Sequence, residues 1–169
     1  YEYNLTTSFD ISTVNYAGNA ERFYVGNEEA APLGMAFNND GTKMYIIGMS
    51  GDEVNEYSLT TAFDISTASF TQLFSVVAQE KSPTGMAFNN DGTKMYVVGN
   101  TGKDVNEYVL STGFDVSTAA YSQVFSVIYQ ENSPSGIVFN DDGTKMFVIG
   151  FSGDEVNEYS LTTAFDVST

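Results

Sequence analysis

The chain has 169 residues, 42% hydrophobic and 14% aromatic, which suits one folded core, argues against disorder and leaves no room for two full domains. Its 22 acidic and 6 basic residues give a net charge of −16, which repels phosphate backbones and anionic lipid, so neither a nucleic-acid partner nor membrane insertion is expected. Cysteine, histidine and tryptophan are absent, which removes disulfides, thiolate nucleophiles, Cys/His zinc sites and imidazole acid–base chemistry.

Tyr1 opens the segment YEYNLTTSFDIST with no basic and apolar leader, so the chain is expected to be a mature product or a fragment. The segment returns as NEYSLTTAFDIST at Asn55 and in close variants at Asn106 and Asn157. A second segment, GMAFNNDGTKMYIIG, starts at Gly34 and recurs from Gly85 and Gly136, a period of 51 residues. The first two copies of the opening segment stand 54 residues apart, which puts a three-residue insertion in a loop or strand end between Thr13 and Pro32. The expected organisation is one repeat segment over residues 1–169, with a partial unit 1–33, units 34–84 and 85–135, and a partial unit 136–169.

Within the unit that starts at Gly85, four strands A to D are expected at Gly85–Phe88, Lys94–Val98, Val105–Leu110 and Tyr121–Ile128. Asp91-Gly92 suits a tight hairpin turn between A and B, because glycine takes positive φ without a Cβ clash. The same pair stands at Asp40-Gly41 and Asp142-Gly143. Met95, Tyr96, Val97 and Val98 are apolar on both strand faces, so a layer is expected on each side. No apolar stripe has helical spacing. A four-stranded unit of about 40 to 50 residues is the size of a propeller blade, so the expected fold is all-β, a β-propeller of four-stranded antiparallel blades. The chain would hold about three blades and an extra strand, with a D strand at Ala20–Val25. Such a segment would be cut from a longer array or completed by another copy.

The segment DGTKMYVVG resembles the hairpin motif of bacterial YVTN-like and lactonase-like propellers. The longer pattern DGTKMYVVG…VNEYxLxTxFDxST is similar to tandem repeats of bacterial surface and phage structural proteins, and it covers nearly the whole chain. The resemblance implies an extracellular or virion-surface location.

The Asn-Asn-Asp-Gly motif (Asn38–Gly41, Asn89–Gly92, with Asp141 in the third copy) lacks the alternating oxygen ligands of a calcium loop, and its side chains are expected to close the turn. In Thr-x-Phe-Asp-x-Ser-Thr, Phe9, Phe63, Phe114 and Phe165 are expected to plug between layers, while Asp10, Asp64, Asp115 and Asp166 lock the C–D connection. No metal site, cofactor or catalytic residue is expected. In propellers the D–A and B–C loops share the face on which ligands bind. The candidate residues there are Glu28, Glu29, Glu80, Tyr129 and Glu131 from D–A, and Met49, Asp52, Glu53, Asn100, Asp104, Phe151, Asp154 and Glu155 from B–C.

The leading expectation is therefore a non-enzymatic binding or structural module presenting this face to a receptor, glycan or protein partner. One alternative is a lactonase- or lyase-type enzyme with calcium held by loop carboxylates. Another is a structural repeat that assembles with copies of itself.

Overall fold

The computed structural model describes residues 1–18 and 20–169, and these form four antiparallel sheets. The first holds β1 (Tyr3–Leu5) and β2 (Val14–Tyr16). The second holds β3 (Pro32–Phe37), β4 (Lys43–Gly48), β5 (Glu53–Leu59) and β6 (Ala68–Ser75), in that spatial order. The third repeats it with β7 (Pro83–Phe88), β8 (Lys94–Gly99), β9 (Asp104–Leu110) and β10 (Ala119–Ser126). The last has three strands, β11 (Pro134–Phe139), β12 (Lys145–Gly150) and β13 (Val156–Ser160).

The strands lie in one row of stacked sheets. Tyr45, Ile47 and Val54 of the second sheet pack on Met86, Met95 and Val97 of the third. Tyr96, Val98 and Val105, on the far face of the third, pack on Ile137, Met146 and Val148 of the last. Each such side chain taken fully out of water contributes about 1.5–3 kcal/mol, so both faces of an inner sheet hold the row together.

This arrangement corrects the expectation of a propeller built of four-stranded blades. Only two of the four sheets are four-stranded, and none closes with the others into a ring. A ring needs the last sheet to meet the first, whereas here the outer face of the last sheet, with Val138, Ile149 and Val156, is exposed. The strand expected at Ala20–Val25 does not form, and the strand that pairs with β1 is β2, nearer the start of the chain.

The hairpin turns form as their residues require. Asp91 Oδ1 accepts from Thr93 N at 3.0 Å and from its hydroxyl, Asn89 Oδ1 accepts from Lys94 N at 2.9 Å, and Gly92 takes φ +70°. Turns are tied across sheets by Asn39 Nδ2 to the Asn90 carbonyl and Asn90 Nδ2 to the Asp141 carbonyl, both 2.6 Å. In the C–D connection, Asp115 Oδ1 accepts from Ser117 N at 3.1 Å and Phe114 takes φ 60°, a conformation bulky residues rarely adopt. Phe9 has the same φ with its ring fully exposed, so the Asp-x-Ser-Thr turn sets the backbone and ring packing only follows.

Candidate metal centre

The inner sheets are stitched by one polar constellation used twice. In the second sheet Lys43 Nζ lies 2.8 Å from Glu56 Oε1 and donates to the Phe114 carbonyl of the next unit at 2.7 Å. Tyr45 donates its hydroxyl to the same carbonyl at 2.6 Å. Glu56 Oε2 accepts from Val116 N, and the Gln72 amide bridges Glu56 Oε2 at 2.9 Å and Asp115 Oδ1 at 2.8 Å. The third sheet repeats this with Lys94, Tyr96, Glu107 and Gln123 against Phe165, Asp166 and Val167. The Ser117 hydroxyl, helped by Gln72 and Lys43, outweighs burial and holds the Asp115 carboxyl below its ordinary range.

The N-terminal sheet carries a version of this stitch with its charge balance removed. Glu2 occupies the repeat position of Glu56, Asp64 that of Asp115, and Glu21 stands where the inner units have Gln72 and Gln123. The Glu2 N–H donates to the Glu21 carbonyl at 3.0 Å, which sets Glu21 beside Glu2 as Gln72 lies opposite Glu56. The three extra residues fall between Tyr16 and Glu21, so the chain pairs first through β2 and again at Glu21. One carboxylate oxygen from each of Glu2, Glu21 and Asp64 lies within 4.8 Å of the others. Among the described residues the ion pairs are Lys43–Glu56, Lys94–Glu107 and Lys145–Glu158, none of which reaches this trio.

Three carboxylates this close repel one another unless a cation or a proton intervenes. Glu2 Oε2 is buried with no hydrogen-bond partner among the described residues, an arrangement that costs free energy unless something binds it. Asp64 Oδ1 accepts from Ser66, so its second oxygen is the one left for a further ligand. The donor set is all hard oxygen, which fits calcium or magnesium. Glu2 also lines a cavity of about 440 Å³ between the N-terminal segment and the second sheet. Its walls are otherwise mainly apolar, with Tyr1, Tyr3, Phe23 and Val25 facing Met35, Phe37, Met44, Ile46 and Phe63.

The loop residues expected to meet a ligand are distributed differently. Met49, Tyr129, Phe151, Asp154 and Glu155 are exposed, and Glu28, Asp52, Glu53, Asn100 and Asp104 are partly buried. Glu29, Glu80 and Glu131 are fully buried and clasp the neighbouring loop. Glu80 accepts from Ser82 N at 2.7 Å, Thr101 N at 3.0 Å and Gly102 N at 2.8 Å, and Glu29 and Glu131 repeat the pattern. Burial alone would raise the Glu131 carboxyl, but the Ser133, Ser152 and Gly153 N–H groups hold it below its ordinary range. Burial, with Glu80 nearby, pushes Asp104 up despite a hydrogen bond from Asn106. The carboxylate trio escapes a reading of motifs, because Glu21 belongs to none; its signal is a Glu at a position that is Gln in both inner units.

No protein-family model and no curated protein matches the sequence. Solved structures do match the fold. A 6-phosphogluconolactonase candidate from Bacteroides fragilis aligns with 94% of this chain and 43% of its own length, at 15% identity and TM-score 0.63. A second such candidate, from Bacteroides uniformis, aligns with 94% of this chain and 46% of its own length, at 12% identity and TM-score 0.60. The periplasmic gluconolactonase of Pseudomonas aeruginosa aligns with 76% of this chain and 35% of its own length, at 15% identity and TM-score 0.57. The chain thus spans less than half the length of each. At these identities the likeness is one of fold. It corrects the reading of the repeats as those of surface or phage structural proteins, for the sheets have the lactonase-like arrangement as an open row. Together with the trio, which no motif announced, it corrects the expectation of a non-enzymatic adhesion or virion module.

Proposed function

We propose that this chain belongs to a metal-assisted hydrolase acting on small cyclic esters, with Glu2, Glu21 and Asp64 as ligands of a divalent cation. The observation that carries the reading is Glu2, whose buried, unpartnered Oε2 belongs to the trio while the residue lines the cavity. The fold likeness to lactonases supports the reaction class. A hard cation so held would polarise an ester carbonyl and acidify a bound water.

The chain's own residues supply binding and exclusion. The Tyr1, Tyr3, Phe23 and Phe63 rings offer a ring-shaped, weakly polar substrate apolar contact and keep bulk water from the Glu2 side of the cavity. The net charge of −16 and the trio disfavour a phosphorylated substrate, so a neutral lactone is the better fit. Incubating the chain with a panel of neutral and phosphorylated lactones is expected to give calcium-dependent hydrolysis of neutral ones, abolished by chelator. Hydrolysis of no lactone, or a rate indifferent to chelator, would contradict the proposal.

A further inference from the structure

Glu53, Asn55 and Tyr57 alternate onto one face of β5, the face that meets the turn at residues 25–29. Asn55 is fully buried there, and neither its Oδ1 nor its Nδ2 has a hydrogen-bond partner among the described residues. Two such orphans cost free energy until a group offering both a donor and an acceptor meets them. The third sheet shows where that group stands. Asn106, at the repeat position of Asn55, donates from Nδ2 to Asp104 Oδ1 at 2.7 Å. Glu53 occupies the position of Asp104 with one more methylene, and its carboxyl folds back over Gly51, where an added Cβ would lie 2.9 Å from Glu53 Oε1.

Negative groups surround this carboxyl. Glu29, from the turn before β3, is committed to the N–H groups of Ala31, Ser50 and Gly51. Asp52, in the loop between β4 and β5, has a buried Oδ1 with no partner among the described residues, and the third sheet has Lys103 at its position. None of the ion pairs among the described residues includes Glu53. Burial first, then Glu29 against the opposing Asn55 amide, and last Asp52, push the Glu53 carboxyl above its ordinary range. Glu28 and Tyr57 are the other titratable groups on this face. The Tyr57 hydroxyl donates to Glu28 Oε2 at 3.4 Å, and burial pushes it up, so it stays neutral while carboxylates titrate.

We propose that Glu53 and Asn55 form an acid-closed latch on the loop between β4 and β5. In acid Glu53 takes a proton from solvent and makes two bonds with the amide, its O–H donating to Asn55 Oδ1 and its other oxygen accepting from Nδ2. At neutral pH the ionised carboxyl has no donor for Oδ1 and is repelled by Glu29 and Asp52, so the loop is held less firmly. The native carboxyl binds its proton more tightly than the unfolded one. Its contribution is therefore fully present below the ordinary glutamate value of 4.5 and is lost as pH rises through the higher native value. Carboxylates held low, such as Asp91, Asp115 and Asp142, lose their contribution only as pH falls below their ordinary 3.8, so the two effects separate.

A carboxyl-carbon NMR titration of the whole chain is the test. Glu53 is expected to titrate above an ordinary glutamate, with the Asn55 side-chain amide protons shifting at the same midpoint. An Asn55 amide that ignores the Glu53 titration overturns the proposal in the parent chain alone. Asn55→Ala is the deciding variant, because an acid–amide pair favours the protonated form. It should lower the Glu53 midpoint by at least about half a pH unit, about threefold in proton affinity. If Nδ2 merely supports the ionised carboxylate, the same variant raises the midpoint, and if the amide does not reach the acid, nothing moves. Either result overturns the proposal. Glu53→Gln carries a donor and an acceptor at every pH, and should slow exchange of the Ser50 and Gly51 amides at about pH 7 by at least about threefold relative to the parent. Equal or faster exchange would show that the loop does not depend on the latch.

Discussion

Replacing Glu80 with alanine is expected to destabilise the chain by about 3 kcal/mol or more, because a fully buried carboxylate that satisfies three backbone N–H groups leaves them all unpaired. Those donors belong to two loops, at Ser82 and at Thr101 and Gly102, so the loss loosens both together. Glu80→Gln keeps an acceptor oxygen but turns an amide N–H toward a donor, and should cost less than alanine while still costing more than a surface change. Urea unfolding followed by circular dichroism measures both. A loss below about 1 kcal/mol for alanine would mean that the loops hold themselves and that Glu80 is free for another role.

Gly92→Ala is expected to cost a similar amount, about 3 kcal/mol, for two reasons that add. The residue sits at φ +70°, where a Cβ clashes with its own backbone, and that Cβ would fall within the Phe114 ring. Phe114 cannot withdraw easily, since its N–H donates to the Gly92 carbonyl at 3.0 Å and its ring packs 5.4 Å from Phe88. Gly92→Asn, which tolerates positive φ better, should still lose most of that stability through the ring overlap. A thermal midpoint within 1–2 °C of the parent for Gly92→Ala would show that the turn and ring relax freely.

Much of this fold was legible from spacing. The Asp-Gly pairs placed the hairpins, and the two-sided apolar run Met95 to Val98 announced a strand covered on both faces. Phe114 and Asp115 were readable as plug and lock, because phenylalanine before an Asp-x-Ser-Thr turn recurs with the repeat. Closure was not legible, for it depends on whether the first and last sheets meet, and period alone says nothing of that. The roles of Glu29, Glu80 and Glu131 were hidden for a different reason. An acidic residue in a variable loop looks like surface, and only the coordinates bring three N–H donors onto it.

The candidate metal centre was hidden by its irregularity. Its three carboxylates come from both sides of an insertion and from the next unit, and the decisive change is one atom group, a carboxylate at Glu21 in place of the amide of Gln72. The inner units show what that amide does, since the Gln72 amide donates to both the Glu56 and the Asp115 carboxylates. The outer trio has the same frame, with a negative group where the bridge should be.

Calorimetric titration of calcium into the parent chain and into Glu21→Gln tests that claim most directly. Restoring the amide should rebuild the inner stitch between Glu2 and Asp64. The account therefore predicts one site per parent chain with a dissociation constant of about 10⁻⁴ M, and no measurable binding heat for Glu21→Gln, which stays folded. Equal heats for the two chains, or none for the parent, would contradict it.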